Sequence, residues 1–248
     1  MRVLLLGGTG EARALAASLH AQDIDVVSSL AGRVSNPALP VGAVRSGGFG
    51  GVEGLARYLV EEQVAAVVDA THPFAATISA HAVAACGQVG VPVLGLRRPG
   101  WTEGPDDRWQ RVPDITAAAD AVAGSAAGTV FLTTGKRDLA AFAGDGAHEY
   151  LVRVVDPPDG PMPPRTSVLL DRGPYEVAGE RALMLAHQVT VLVTKDSGGA
   201  LTVAKLAAAR ELGVQVVMVD RPPGAGYPSV PTVEAALDWV LSQQPSSR

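Results

Sequence analysis

The chain has 248 residues, 47% of them hydrophobic, and a formal net charge of −5 at pH 7. That composition supports a substantial core, in one large domain or two small ones, and argues against nucleic acid as a partner. No apolar run approaches the roughly 20 residues of a membrane helix, and the single cysteine, Cys86, excludes an intramolecular disulfide and most thiolate metal sites. We therefore expect a cytoplasmic protein with no metal centre and no membrane partner.

The first predicted unit is the strand, turn and helix of residues 2–19, RVLLLGGTGEARALAASL. The apolar run at 3–6 is typical of a buried parallel strand, and Gly7, Gly8 and Gly10 predict a tight turn after it. The following helix would direct its N-terminal amides at an anion. Gly8 and Gly10 match two glycines of the dinucleotide fingerprint G-x-G-x-x-G, but Arg13 stands at the third. A phosphate-binding turn is favoured, with a purely structural turn as the alternative.

The second predicted strand, 24–29, ends in polar residues that bear on the choice of cofactor. Where a dinucleotide-binding unit selective for NADH places an acidic residue, this chain offers Ser28, Ser29 and Arg33. Hydroxyl groups and a guanidinium suit a 2′-phosphate, so this turn predicts NADPH rather than NADH. The alternative is an ordinary polar turn with an exposed arginine.

Further strands are predicted at 41–44, 64–68 and 91–96, with helices at 52–62 and 73–88. The loop at 46–51, SGGFGG, would let the backbone approach a flat ligand, with Gly48 at its centre. Thr71 and His72 follow the strand at 64–68. At that strand end His72 could face a nicotinamide or cap the following helix, and the sequence leaves both open.

Residues 97–113 interrupt the periodicity with prolines, glycines and two tryptophans, so we predict an N-terminal domain at 1–97, a linker at 98–113 and a C-terminal domain at 114–248. The second half predicts helices over 114–123, 175–187, 200–212 and 232–242, a short helix ending near 143, and strands over 129–133, 149–154, 168–170, 189–193 and 214–219. Lys136 and Lys195 follow strands, and Arg153 lies near the proline-rich loop at 156–164. These cations are candidates for binding carboxylates, or are solvated surface charges.

The two halves share a weak internal similarity. VVDATHP at 67–73 aligns with VLVTKDS at 191–197, and GVPVLGLRRPG with GVQVVMVDRPPG. We infer an α/β fold of two Rossmann-like parallel-sheet domains with the active site in a cleft between them, although generic α/β alternation could produce the same pattern. Several chemistries are excluded because the chain has no G-x-S-x-G, H-E-x-x-H or Walker motif. The kind of site that remains is one that orients a reduced nucleotide against a carboxylate-rich ligand.

A series of short blocks along the chain resembles the precorrin-6A reductase family of cobalamin biosynthesis. The blocks are GGTGEARALA, SLAGRV, GGFGG, VVDATHPFA, LRRPGW, TTGKRDL, RVVDPP and TKDSGG. The resemblance implies that NADPH reduces the tetrapyrrole precorrin-6A to precorrin-6B by adding a hydride and a proton to the macrocycle. It also implies a cationic site for the acetate and propionate arms of this substrate.

The resemblance implies roles for individual residues. The cofactor-binding residues would be Gly7, Gly8, Thr9, Gly10, Glu11, Ala12, Ser29, Arg33, Gly48 and Thr71. The substrate-binding residues would be Lys136, Arg153, Lys195, Ser197 and Gly198. For the proton donor, His72, Asp196 and solvent are the candidates. A non-catalytic protein that senses NADP, and a reductase of another polycarboxylated molecule, are the competing functions; the oligomeric state stays open, with a monomer favoured.

Overall fold

The computed structural model describes residues 1–32 and 38–244. In chain order, the first elements are β1 (Arg2–Leu6), α1 (Gly10–Ala21), β2 (Asp25–Leu30), β3 (Ala43–Ser46), α2 (Gly51–Glu61), β4 (Val64–Asp69), α3 (Ala76–Val89) and β5 (Val93–Leu96). They are followed by β6 (Trp109–Val112), α4 (Ile115–Ala123), β7 (Thr129–Leu132), a 3₁₀ helix (Lys136–Phe142), β8 (Glu149–Val154), β9 (Thr166–Leu170), α5 (Val177–Ala186), β10 (Val189–Lys195), a short 3₁₀ helix (Ala200–Thr202), α6 (Ala204–Leu212), β11 (Gln215–Val219), β12 (Ser229–Val230) and α7 (Val233–Ser242).

These elements form two compact units, each built on one six-stranded sheet. The first unit comprises Met1–Pro99 and Pro223–Arg248, and the second comprises Gly100–Pro222. The strand order is β3-β2-β1-β4-β5-β12 in the first sheet and β9-β8-β7-β10-β11-β6 in the second. All of the strand pairs are parallel. The prediction of two Rossmann-like parallel-sheet domains is confirmed, and the two sheets have the same order of five consecutive strands.

The sixth strand of each sheet comes from a different part of the chain. After β5 the chain leaves the first unit and forms β6 beside β11, and after β11 it returns and forms β12 beside β5. The helix after each of these strands goes with it, since α7 packs its buried Ala236 and Val240 into the core of the first unit. A β-α segment is therefore exchanged between the two halves of the chain.

This exchange moves both predicted domain boundaries. The linker expected at 98–113 contains β6, whose last residue, Val112, is buried. The domain expected at 114–248 ends earlier, because β12 and α7 complete the first unit. The sequence of such short apolar segments does not indicate which unit they join. The pairing with β5 assigns β12 to the first sheet, and the packing of Ala236 and Val240 assigns α7 to the first unit.

The first sheet has a core on both faces. Val3 and Leu5 of β1 pack with residues of α1 and α7, whereas the alternate residues Leu4 and Leu6 pack with residues of α2 and α3. Burial on both faces explains why β1 is an uninterrupted apolar run rather than an alternating one. The carboxyl ends of β1, β2 and β4 consequently emerge at one edge of a rigid sheet.

Among the residues that the structure describes, every helix is too short or too polar to span a lipid bilayer.

Candidate functional site

In the glycine turn after β1, the space around the second glycine, Gly8, is open. Gly7 donates its N–H to the Ser29 carbonyl oxygen at 2.9 Å, which ties the turn to the end of β2. Gly8 has φ +116° and is exposed, and a Cβ built on it meets no atom within 4 Å. This backbone conformation favours glycine, and the open space allows a ligand to contact the main chain directly.

Thr9 fixes the start of α1 behind that turn. Its hydroxyl accepts a hydrogen bond from the Ala12 N–H at 3.1 Å and donates one to the Ala70 carbonyl oxygen at 2.7 Å. Thr9 is therefore both the N-cap of α1 and a connection between the ends of β1 and β4. The predicted helix begins at Gly10, where its dipole favours an anion.

One carboxylate in the first turn of α1 opposes anion binding, and the structure neutralises it. Glu11 accepts from Arg98 Nη1 at 2.6 Å, and both side chains are largely buried. Arg98 follows β5, so the ion pair crosses the carboxyl edge of the sheet. A shallow depression at this edge is lined by Thr9, Glu11, Thr71, Pro73, Leu96 and Arg98.

A cation that the sequence analysis did not single out lies beside the end of β2, on the neighbouring strand β3. Arg45, on β3, lies directly opposite Ser29 in the strand register and donates Nη1 to the buried Ser29 Oγ at 2.7 Å. It also donates to the carbonyl oxygens of Gly47 and Gly48, each at 3.1 Å. The predicted Ser29 and Gly48 are thus brought together by Arg45, whereas Arg33 lies outside the described residues.

Aromatic stacking and a close backbone contact hold Arg45 and its loop. The guanidinium carbon lies 3.7 Å from the ring centroid of Phe49 and 5.2 Å from that of Tyr58. A Cβ on Gly54 of α2 would lie 1.7 Å from the Phe49 carbonyl oxygen, so only glycine lets the loop pack this closely on the helix. The loop after β3 is therefore fixed in place.

A buried polar network sits at the end of β4. Asp69, fully buried, accepts from the Thr71 N–H at 3.0 Å, from the Thr71 hydroxyl at 2.6 Å and from the Ser79 hydroxyl at 2.6 Å. Arg97 Nη2 donates to the same carboxylate at 2.6 Å, and the Tyr227 hydroxyl donates to it as well. The predicted Thr71 is thus buried and held by Asp69, the last residue of β4, which the sequence analysis did not single out.

The returning segment before β12 supplies one member of this network. Burial, and then the neighbouring Asp69 carboxylate, raise the pKa of Tyr227 to about 12, so its hydroxyl stays protonated and donates to the carboxylate. Arg97 also donates to the Thr71 carbonyl oxygen at 2.8 Å. The turn at Thr71 is therefore fixed through both its side chain and its main chain.

His72 is half-buried and touches the turn that leads to α3. Its Nδ1 accepts from the Phe74 N–H at 3.3 Å, and the two rings lie 5.7 Å apart. An accepting Nδ1 places the proton of a neutral ring on Nε2. This contact is of the capping kind that the sequence left open, although α3 itself begins only at Ala76.

In the second unit, the two predicted lysines each have a carboxylate partner. Lys136 Nζ lies 3.1 Å from Asp159 Oδ2, and the Asp159 side chain is 81% exposed. Lys195, the last residue of β10, has its Nζ 2.5 Å from Asp138 Oδ2, with both side chains largely buried. Lys136 is therefore in an exposed pair that solvent screens, and Lys195 in a more enclosed one.

Arg153, which was predicted to bind substrate, is paired with a carboxylate of the protein. It is buried, its two terminal nitrogens bind the two carboxylate oxygens of the buried Glu180, and it stacks 3.7 Å from the ring centroid of Tyr175. Its partner Glu180 lies on α5, and the sequence analysis did not single it out. A buried pair of this kind is part of the protein interior.

Asp196 is buried and accepts hydrogen bonds on both carboxylate oxygens. Oδ1 accepts from the Trp101 N–H at 2.9 Å, and Oδ2 accepts from Arg111 Nη2 at 2.8 Å. Next to it, the Ser197 N–H donates to the Lys195 carbonyl oxygen at 2.6 Å, and Gly198 is buried with φ +63°. Asp196 thus anchors the segment that leaves β5, and Ser197 and Gly198 form a compact turn after β10.

A third lysine is buried in the second unit. Lys205, near the start of α6, is only 5% exposed, and its Nζ lies 5.4 Å from the ring centroid of Trp101. Burial, and then the charge of Arg153, lower the pKa of Lys205 to about 7. The sequence offered a weak signal for it, a lone lysine in the apolar run AKLAAA.

The structure thus brings the predicted residues together in two groups. In the first unit, the glycine turn, Ser29 and Thr71 lie at the carboxyl ends of β1, β2 and β4. In the second unit, Lys136 follows β7, Lys195 ends β10, and Asp196, Ser197 and Gly198 follow β10. Arg45 could have been found from sequence by its place at the end of a short strand before a glycine loop, whereas Asp69, Arg97 and Tyr227 are too far apart in the chain for any local pattern.

Comparison with known proteins gives one consistent result. The family described as Precorrin-6x reductase CbiJ/CobK matches residues 2–241. A Mycobacterium tuberculosis protein named Precorrin-6A reductase is 54% identical over 241 residues, covering 96% of this chain and 97% of its own length. A Rhodobacter capsulatus protein of the same name is 44% identical and covers 100% of this chain and 98% of its own. A Priestia megaterium protein named Cobalt-precorrin-6A reductase is 32% identical, with 89% and 90% covered.

The fold matches a solved structure over its whole length. That structure, described as CobK precorrin-6A reductase, superposes with a TM-score of 0.93 at 44% sequence identity and covers 100% of this chain and 99% of its own.

Proposed function

The chain belongs to the Precorrin-6x reductase CbiJ/CobK family, and we propose that it reduces precorrin-6A to precorrin-6B with NADPH in cobalamin biosynthesis. The observation that carries this proposal is the near full-length identity of 44–54% to relatives named Precorrin-6A reductase. Three matching relatives named Cobalt-precorrin-6A reductase are 32%, 28% and 27% identical. We therefore propose the metal-free tetrapyrrole as the substrate.

The residues of the first unit fit a nicotinamide cofactor. Gly8 offers open backbone at the N-terminus of α1, and Arg98 neutralises Glu11, the acidic side chain closest to that turn in sequence. At the end of β2 stand Ser29 and Arg45 in place of the carboxylate that binds an unphosphorylated ribose. We propose that Gly7–Ala12 contact the pyrophosphate and that Ser29, Gly48 and Arg33 lie around the adenosine.

When bound, the nicotinamide supplies the hydride. We propose that Thr71 positions the nicotinamide end of the cofactor, since Asp69 and Arg97 hold its side chain and main chain. Of the two side-chain candidates we propose His72 as the proton donor: its imidazolium form would release one proton to the macrocycle and return to the neutral ring whose Nδ1 accepts from the Phe74 N–H. Asp196 instead accepts hydrogen bonds on both carboxylate oxygens, from Trp101 and Arg111, so both oxygens are engaged within the protein.

We propose that Lys136, Lys195, Ser197 and Gly198 of the second unit contact the carboxylate arms of the substrate. Each lysine already faces a protein carboxylate, so a substrate carboxylate would compete with Asp159 for Lys136 and with Asp138 for Lys195. Such competition lets a polycarboxylate bind by exchange of partners, without requiring an unpaired charge in the free protein.

The test is anaerobic incubation of the purified protein with NADPH and precorrin-6A, following the absorbance of both and the mass of the product. We expect one NADPH oxidised for each macrocycle that gains two hydrogens. The same assay with cobalt-precorrin-6A should be slower. NADPH binding without oxidation would support the sensing protein instead, and oxidation only with a different polycarboxylate would change the substrate. A His72→Ala variant with normal turnover across pH would leave solvent as the proton source.

A further inference from the structure

We propose that Arg45 recognises the 2′-phosphate of the cofactor and so makes the first unit prefer NADPH to NADH. This inference rests on the proposed function, because it assumes that an adenine nucleotide binds the first unit. It goes further in assigning the discrimination to a residue on β3 rather than to the turn after β2.

The first support is position. In sheets of this strand order, the adenosine ribose lies at the carboxyl end of the second strand. Ser29 stands at that end of β2, and Arg45 is its direct partner in the register of β2 and β3. The guanidinium is therefore fixed beside the point where a ribose phosphate would lie, with Nη1 2.7 Å from Ser29 Oγ.

The second support is that Arg45 is held without being neutralised. Its hydrogen-bond acceptors are a hydroxyl group and two carbonyl oxygens, those of Ser29, Gly47 and Gly48. Within residues 1–32 and 38–244, no carboxylate oxygen lies within 4.0 Å of it, whereas Arg97 and Arg98 pair with Asp69 and Glu11. A cation ordered by neutral groups keeps its charge available for a dianion.

The third support is the geometry of its remaining donors. A guanidinium has five N–H groups, and the three hydrogen bonds within the described part of the chain use two at Nη1 and one at Nη2. Nε and Nη2 share one edge of the guanidinium, which is a pair of donors suited to two oxygens of a phosphate. The ring of Phe49, 3.7 Å from the guanidinium carbon, keeps that plane from rotating.

The test is calorimetric titration with two probes, adenosine 2′,5′-bisphosphate and 5′-AMP, which differ by the 2′-phosphate. In Arg45→Gln, we expect the dissociation constant of the bisphosphate to rise about 30-fold and that of 5′-AMP to change by less than about twofold. Arg45→Lys keeps the positive charge but loses the paired N–H donors of the guanidinium. Its dissociation constant for the bisphosphate should therefore lie between those of the native protein and of Arg45→Gln. Arg57→Gln, which removes an exposed arginine of α2, is the matched control and should change neither.

The outcomes separate this inference from the proposed function. If the native protein favours the bisphosphate and Arg45→Gln keeps that preference, a group other than Arg45 binds the 2′-phosphate. The inference is then wrong, whereas the proposed use of NADPH stands. Equal losses for both probes would show that Arg45 only maintains the loop. If the native protein binds neither probe, the cofactor proposal also fails. If Arg45→Gln shows no cooperative thermal unfolding, the Phe49→Leu variant is used instead, because the Phe49 ring holds the guanidinium. Phe49→Leu must then reduce the preference for the bisphosphate over 5′-AMP, by a smaller factor than is expected for Arg45→Gln.

Discussion

The two units have the same strand order, yet the first loop of each is built differently. After β1 comes an open glycine and a 12-residue α-helix capped by Thr9. After β7 comes Gly135 and a seven-residue 3₁₀ helix without a side-chain cap. A 3₁₀ helix has poorer hydrogen-bond geometry and aligns fewer dipoles. One fold thus provides, in the first unit, an open turn at a helix N-terminus, where we propose that phosphate binds, and, in the second, a turn that leads into Lys136.

The exchanged segments show what the units have in common. In each sheet an aspartate at or just after the end of the fourth strand holds the incoming segment. Asp69 accepts from Tyr227, which precedes β12, and Asp196 accepts from Trp101 and from Arg111 of β6. The difference is burial, since the Arg97 side chain that pairs with Asp69 is 21% exposed and the Arg111 side chain that pairs with Asp196 is 41% exposed.

The largest expected effect comes from removing these two carboxylates in turn. Asp69→Asn replaces Oδ2, the carboxylate oxygen that accepts from Arg97 and from the hydroxyl groups of Ser79 and Tyr227. These donors lose their acceptor in a buried site, so the free energy of unfolding should fall by about 3–5 kcal/mol. Asp196→Asn, where water reaches Arg111, should cost about 1–2 kcal/mol. Urea unfolding followed by circular dichroism measures both. Equal losses would mean that the two anchors are energetically equivalent despite their different exposure.

A pair of glycine substitutions tests the difference between the first loops. Gly8 has φ +116° and Gly135 has φ +96°, and a Cβ on either meets no atom within 4 Å. Alanine at each position therefore strains the backbone by a similar amount, about 1–3 kcal/mol. Only Gly8→Ala should weaken NADPH binding, by about 100-fold, because its Cβ would occupy the proposed phosphate site. If Gly135→Ala weakens binding as much, the cofactor phosphates do not lie on the first turn.

These comparisons also show what the sequence could and could not reveal. The glycine turn, the strands other than β6 and β12, and the lysines at or after the ends of β7 and β10 follow from local periodicity, and the prediction of two parallel-sheet domains is confirmed. The exchange of β-α segments between the two units could not be predicted from the sequence. Strand Ser229–Val230 is too short to show a periodic pattern, and it pairs with β5, which lies more than 130 positions earlier in the chain. Arg153 was assigned to substrate because nothing near it in sequence indicates that Glu180 lies against it.

The buried lysine of the second unit predicts a pH dependence of stability. The pKa of Lys205 falls from the ordinary 10.5 to about 7 on folding, so between these values the unfolded chain holds a proton that the folded protein has lost. The free energy of unfolding should therefore rise with pH in that window, by up to about 1.4 kcal/mol per pH unit, and the contribution should be lost as pH falls to 7. Lys205→Met should flatten the curve, as urea titrations at several pH values would detect. Parallel curves for the two proteins would mean that the amine titrates normally.

The smallest expected effect, and the most specific, concerns the exposed pair of Lys136 and Asp159. If Lys136 binds a substrate carboxylate, Asp159 competes with it, since their charged atoms lie 3.1 Å apart. Lys136→Gln should then raise the KM for precorrin-6A by about two- to fivefold, whereas Asp159→Asn should lower it by a similar factor. Both changes should shrink at high ionic strength, because the pair is exposed to solvent. A KM that rises in both variants would assign the pair to the conformation of the loop, since a residue that competes with substrate cannot help it to bind.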